Sequence, residues 1–202
     1  MITLDRWAFL TVLALPLAVA WATPAPAHDI VLNELMYHPP GGSDGLQYVE
    51  LCNRGNAEVD IAGWSFEKGI QFVFPTGTRL GAGAYLVVCR SLAEFQDRHG
   101  TEPRAIGDFT GKLSHDGEAV ELLDAQKQVV DALKYGDDGD WPMGPDGYSA
   151  ALERISPGTE TNRPENWAAS KLPPVRKAMG TPGRENDCFS ANLPPVISSV
   201  GS

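Results

Sequence analysis

The sequence is short of positive charge. Its 16 lysines and arginines face 26 aspartates and glutamates, giving a formal net charge of −10 over 202 residues. A chain this acidic has no electrostatic reason to bind phosphate backbones, so no nucleic-acid partner is expected. The densest basic piece, "PPVRK" (Pro173 to Lys177), reads as a solvated loop. Cysteine is scarce too. Cys52, Cys89 and Cys188 match no zinc spacing, and there is no Cys-x-x-Cys. Familiar catalytic signatures are missing. There is no Gly-x-Ser-x-Gly, and Ser114-His115 are merely adjacent. The glycine-rich pieces "PPGGSDG" and "RLGAGAY" are not followed by Lys-Ser/Thr, so they read as turns rather than phosphate cradles.

A long hydrophobic run occurs only at the start. "WAFLTVLALPLAVAWA" (Trp7 to Ala22) follows Arg6 and contains Pro16. It is short for a bilayer span, which needs roughly 20 apolar residues. Small-x-small sites follow at Ala20-Trp21-Ala22 and Ala25-Pro26-Ala27. Residues 1–27 therefore read as a secretory signal peptide cleaved after Ala27. The expected location is secreted, periplasmic or cell-surface, with no integral membrane segment after cleavage. In an exported chain one disulfide is permissible, and the odd cysteine count leaves a thiol over.

Helical periodicity is also rare. "SLAEFQDRHG" (Ser91 to Gly100) is the one convincing helix. Ser91 caps it, Glu94 sits three residues on, Leu92 and Phe95 share a face, and Gly100 stops it. What the chain does have is short apolar runs between Gly, Pro, Asn and Asp. These are "DIVLNELMY", "LQYVELCN", "VDIAGWSFE", "IQFVFP", "AYLVVCR", "AVELLD", "QVVDALKY" and "SAALERI". In the second, Val49 and Leu51 face one way while Tyr48 and Glu50 face the other. The same alternation in the first puts Leu32, Glu34 and Met36 together and Val31, Asn33 and Leu35 opposite. Eight short strands at this density predict an all-β sandwich or barrel, paired antiparallel because the connections are too short for crossover helices. After Ile155 the chain turns rich in Pro, Asn and charge, and reads as a wrap-around tail to about Asn186 with Trp167 as its large anchor. The terminal "NLPPVISSVGS" is apolar and strand-like, and reads as a linker into a following segment or a short adhesive strand.

Six segments in order resemble the lamin tail domain family in its bacterial secreted form. They are "VLNELMYHPP", "QYVELCNRGNAEVDIAGWSF", "FVFPTGTRLGAGAYLVVCR", "LSHDGEAVELLDAQKQVVDALKYGD", "YSAALERISPG" and "NRPENWAAS", followed by "GTPGREN". The resemblance implies an immunoglobulin-like antiparallel β-sandwich over residues 28–187, with one short helix near 91–99 and residues 188–202 as a linker. It also implies a non-catalytic role. Bacterial members are similar to adhesion or accessory modules on exported proteins, while animal relatives end the nuclear lamins. The signal peptide, the acidic balance and the missing heptad rod set this chain apart from the nuclear members. An immunoglobulin-like strand order would also hold Cys52 and Cys89 apart along their ladder, beyond the roughly 7 Å a disulfide allows.

Glu34, inside the first strand, raises the question of a site. With His38 it could begin a metal or catalytic centre, but either needs a convergent third group. His28, His99 and His115 lie at the new N-terminus, a helix end and a turn. A structural reading fits better. A buried carboxylate must find a partner, and Arg154 in "ALERI" is the expected cation, pairing with Glu34 or Glu50. Trp64 in "AGWSF" is expected in the core. Asp137, Asp138, Asp140 and Asp146 offer oxygens for calcium, but no bidentate glutamate closes the loop. Trp64, Trp141 and Trp167 would make a glycan platform only if exposed; loop lids are the plainer reading of the last two.

The expectation is therefore a non-enzymatic interaction or adhesion module, needing no cofactor and binding a protein or cell-envelope partner. The alternatives are an N-terminal accessory domain of a larger secreted enzyme (hydrolase or spore-coat-kinase-like), and a calcium- or glycan-binding module.

Overall fold

Turn residues cut the chain into strands too short to stand alone, so their stability depends on stacking into sheets. The computed structural model describes residues 29–172 and 179–192. Residues 1–27, expected as a signal peptide, "PPVRK" and all but the first residue of "NLPPVISSVGS" lie outside the described residues. In chain order the strands are β1 (Ile30–Met36), β2 (Tyr48–Asn53), β3 (Val59–Asp60), β4 (Ser65–Lys68), β5 (Ile70–Val73), β6 (Arg79–Leu80), β7 (Tyr85–Cys89), β8 (Ala105–Ile106), β9 (Thr110–Gly111), β10 (Glu118–Leu123), β11 (Val129–Tyr135), β12 (Leu152–Arg154) and β13 (Trp167–Ala169). The helix α1 (Leu92–His99) lies between β7 and β8. Its N-cap is Ser91, whose Oγ accepts from the Glu94 amide at 3.3 Å.

Two sheets stack as a sandwich, as the sequence led us to expect. One runs β13-β12-β1-β2-β7-β8, the other β11-β10-β4-β5-β9, and β3 and β6 pair separately. Among the described strands all pairings are antiparallel except β7–β8, which is parallel. The expectation of purely antiparallel order fails there because α1 is itself the crossover that lets two strands run the same way. "VDIAGWSFE" is likewise two strands, β3 and β4, because a turn at Ala62-Gly63 divides it.

Between the sheets lies the main core. The six-stranded sheet contributes Leu32, Leu35, Val49, Leu51, Val88 and Leu152; the other contributes Phe66, Ile70, Val120, Leu122 and Leu133. Trp64 packs into it at 7% exposure. Trp167 is buried as well, on strand β13 rather than in a loop, with Nε1 donating to the Thr161 carbonyl at 2.7 Å. Gln47, fully buried, ties three segments. Its Nε2 donates to the Tyr37 and Leu113 carbonyls at 2.7 and 2.8 Å, and its Oε1 accepts from the Leu113 amide at 3.0 Å. The outer edge of β11 is met by the loop before β13, where Asn162 Oδ1 accepts from the Lys134 amide at 2.8 Å.

The six-stranded sheet is covered on its outer face too. Met36, Tyr48, Val87, Cys89 and Ala151 form a second cluster there with Phe95 of α1 and Met179 from the chain after β13. This explains why every residue of β1 and β2 is buried and why their sequences carry so little exposed-face polarity.

Candidate functional site: a buried row of carboxylates

Strand β1 does not keep the simple alternation expected of it. Its register against β2 slips between Leu32 and Glu34, so Asn33 is an extra residue in a β-bulge. Leu32 and Leu35 therefore both reach the core, while Glu34 and Met36 point to the outer face. The Asn33 side chain is there as well, donating to Glu50 Oε1 at 2.9 Å. The same register places Glu34 opposite Glu50 of β2 and opposite Glu153 of β12. Three glutamates thus stand abreast on three adjacent strands, whose spacing is about 4.8 Å. All three are 0% exposed.

The covering segment, residues 179–190, supplies most of their partners. The Thr181 amide donates to Glu34 Oε1 and Oε2 at 3.0 and 3.1 Å. The Gly183 amide donates to Glu50 Oε2, and the Cys188 amide to Glu153 Oε2 at 3.1 Å. Thr181 Oγ1 lies 3.0 Å from Glu34 Oε2 and 2.9 Å from Glu153 Oε1. From the sheet side, the Tyr48 hydroxyl donates to Glu34 Oε1. Asn186 braces the segment from within, its Nδ2 donating to the Asn33 and Arg154 carbonyls at 3.1 and 2.8 Å. Gly180, at φ +78°, is where the segment passes closest. A Cβ there would collide with Glu34 Oε1, the Tyr48 hydroxyl and Ala151.

Among the described residues the donors are a phenol, a carboxamide, a hydroxyl and backbone amides, all neutral. Burial and the neighbouring Glu153 push the Glu34 carboxyl up to about 8, against the pull of its hydrogen bonds from Tyr48 and Thr181. Burial and Glu34 hold Glu50 well above the ordinary carboxylate range, and burial raises Glu153. Such raised carboxyls are the kind that serve general acid catalysis. Here they face a strap of the same chain, and what they do is fasten it.

Arg154 is not the cation that meets them. It neighbours Glu153 on a strand, so it points to the opposite side. There its Nη1 lies 3.3 Å from Asp131 Oδ2 on β11 and donates to the Leu32 carbonyl at 3.0 Å, while Nη2 donates to the Thr159 carbonyl. The expected Glu34–Arg154 or Glu50–Arg154 pair is replaced by Arg154–Asp131. Of the four structural residues singled out from the sequence, Glu34 and Glu50 share the row, Trp64 sits in the core and Arg154 joins the two sheets. Glu153, Thr181, Tyr48 and Asn186 were missed. The only signal for them was an acidic residue within an apolar run and a Gly-Thr-Pro-Gly turn.

Two histidines judged separate in the sequence do meet. The rings of His38 and His115 stack at 3.8 Å and 6°. His38 Nδ1 lies 2.7 Å from Asp146 Oδ1, and His115 Nε2 lies 3.0 Å from Asp44 Oδ1. Burial works against ionisation of Asp44, but the His115 hydrogen bond with Lys112 and Arg90 overcomes it and lowers the carboxyl. Asp146 is thus engaged by a histidine. Among the described residues no group of three or more His, Cys, Asp or Glu is arranged to hold a metal ion. Cys52 pairs with Tyr85 and Cys89 with Tyr48, at opposite ends of the β2–β7 ladder. Both are free thiols, as is Cys188.

The lamin tail domain family model matches residues 23–137, more than half of the chain. No curated protein matches it. The matched range carries Glu34 and Glu50; Glu153 and the covering segment lie beyond it.

Proposed function

This chain belongs to the lamin tail domain family, and from that premise we propose that it is a non-catalytic interaction and adhesion module of an exported bacterial protein, binding a protein or cell-envelope partner. One observation carries the reading. The carboxyls best suited to acid–base chemistry, Glu34, Glu50 and Glu153, are fully buried and spend their hydrogen bonds on the protein's own covering segment. A sandwich that locks its reactive groups inside leaves its surface for recognition. The acidic surface suits a basic or neutral partner rather than an anionic polymer. Export rests on the sequence of residues 1–27.

The test has two arms. The mass of the chain recovered from the exporting cell is expected to correspond to cleavage after Ala27. The purified chain is expected to bind envelope fractions saturably, with binding abolished when envelope proteins are digested first. Turnover of ester, phosphodiester or glycoside substrates that copurifies with the chain would overturn the reading.

A further inference from the structure

Thr181 Oγ1 has one hydrogen and three oxygen neighbours. Glu34 Oε2 is 3.0 Å away, Glu153 Oε1 2.9 Å and Asn186 Oδ1 3.3 Å. Asn186 is fixed in orientation. Its Nδ2 donates to two backbone carbonyls, and its Oδ1 accepts from Asn33 Nδ2 at 2.9 Å. A hydroxyl can donate to one carboxylate only. For Thr181 to hold both Glu34 and Glu153 at these distances, it must donate to one and accept from the other, so one of the two carboxyls carries a proton.

We propose that residues 179–190 are a proton-gated strap: a proton shared through Thr181 between Glu34 and Glu153 fastens it to the outer face of the six-stranded sheet, and loss of that proton releases the strap while the sandwich beneath stays folded.

With the proton gone, the Thr181 oxygen faces one carboxylate oxygen with no hydrogen between them, and two anions stand on neighbouring strands beside Glu50. Arg154, the neighbouring cation of β12, does not relieve them, since it lies on the other face with Asp131. Tyr48 of β2 already donates to Glu34, and Cys52 of β2 stands beside Tyr85 of β7. From α1, His99 meets the Tyr48 ring edge-on at 5.9 Å, and Arg98 precedes it. The strap brings Glu185, Asp187, which adds repulsion at Glu153, and Arg184, which is 3.1 Å from Asp187. The strap is separable from the core because its one buried apolar anchor, Met179, belongs to the outer cluster. Once undocked, the carboxyls regain water and their ordinary acidity. Docking then takes up a proton, and its equilibrium weakens as pH rises from the undocked to the docked value. The burial that pushes Glu34 up to about 8 places this window near neutrality.

Amide hydrogen exchange on the full chain tests the proposal, with rates corrected for intrinsic pH dependence. Protection at Thr181, Gly183 and Cys188 is expected to fall by up to about tenfold per pH unit between roughly pH 5 and pH 8 and then level off. Protection at Val49 and Leu51 is expected to persist. Glu34→Gln and Glu153→Gln are each expected to flatten the strap's pH dependence. Strap protection that does not change with pH overturns the proposal. So does loss of protection in β2 in step with the strap, or an undiminished slope in either glutamine variant.

Discussion

Arg154 Nη1 sits 3.3 Å from Asp131 Oδ2, and through that pair β12 of one sheet is joined to β11 of the other. Arg154 is 1% exposed and the Asp131 side chain 12%. Asp131 Oδ2 also accepts from the Leu32 amide at 2.8 Å, so the pair holds β1 as well. Removing one member of a buried pair leaves an uncompensated charge. Arg154→Met and Asp131→Ala are each expected to lower stability in urea by about 3–5 kcal/mol. The double variant should fall short of the sum of the two. Unaltered unfolding midpoints would show that the pair is not a strut.

The pH dependence of global stability has opposing parts. Glu34 binds its proton more tightly folded than unfolded, so its contribution is complete below about 4.5 and is lost as pH rises to about 8. His99 acts in the reverse sense. Burial, with the Arg98 charge, lowers it from 6.5 to about 4, so between those values stability grows with pH as the unfolded histidine gives up its proton. Below about 6.5 the His99 slope opposes that of Glu34, and above it the opposition ends; Glu50 and Glu153, also raised by burial, act in the same sense as Glu34. Urea midpoints are expected to decline more steeply between about pH 6.5 and 8 than below 6.5. Glu34→Gln is expected to make that decline shallower.

Gly180→Ala tests the close approach of the strap. A left-handed backbone penalises a Cβ by roughly 1–2 kcal/mol. At this position the added atom also meets Glu34 and Tyr48. Protease cutting after Arg184 is expected to speed up, with little change in the far-ultraviolet circular dichroism of the sandwich. Cutting at the wild-type rate would mean the strap bends around the methyl group without detaching.

Gln47→Leu keeps a similar volume but strips three buried backbone groups of their partner. Each unsatisfied buried polar group costs about 1–3 kcal/mol. A thermal melt should show a loss far larger than for Ser91→Ala, where a helix cap worth about 1 kcal/mol is removed.

The thiols of Cys52 and Cys89 should be inert while the chain is folded. Burial pushes Cys89 to about 12 and, with Glu50, Cys52 to about 11; burial, with Glu153 nearby, pushes the half-buried Cys188 up to about 12 while the strap is docked. Iodoacetamide at neutral pH is expected to label Cys52 and Cys89 only after denaturation, and Cys188 in step with release of the strap. Rapid labelling of Cys52 or Cys89 in the native chain would contradict their burial.

Much of this was legible in the sequence, and the failures have physical causes. Tyr48–Asn53 alternates without interruption, and its two faces were read correctly. Ser91 and Gly100 bracket α1 because capping is local chemistry that a few residues specify. Asn33 is different. A bulge is decided by what lies on the neighbouring strand, so period two assigned Leu32 and Leu35 to opposite faces when both are in the core. Arg154 and Glu153 are consecutive in a strand of three residues, too short for alternation to say which points inward. Its choice of Asp131 over Glu34 follows from that single parity. Thr181 lies in a Gly- and Pro-rich stretch that reads as a tail, and its partners come from strands far away in the chain.

The loop that meets β11 has a consequence beyond the single molecule. A bare seven-residue strand edge is a template on which a neighbouring chain can lay its own strand, and that is how fibrils begin. Asn162 stoppers that edge with a side-chain oxygen where a foreign carbonyl would dock. The other sheet borders are blunt, with β13 three residues long and β8 and β9 two each. Copies at high concentration can therefore crowd together without their sheets growing into one another.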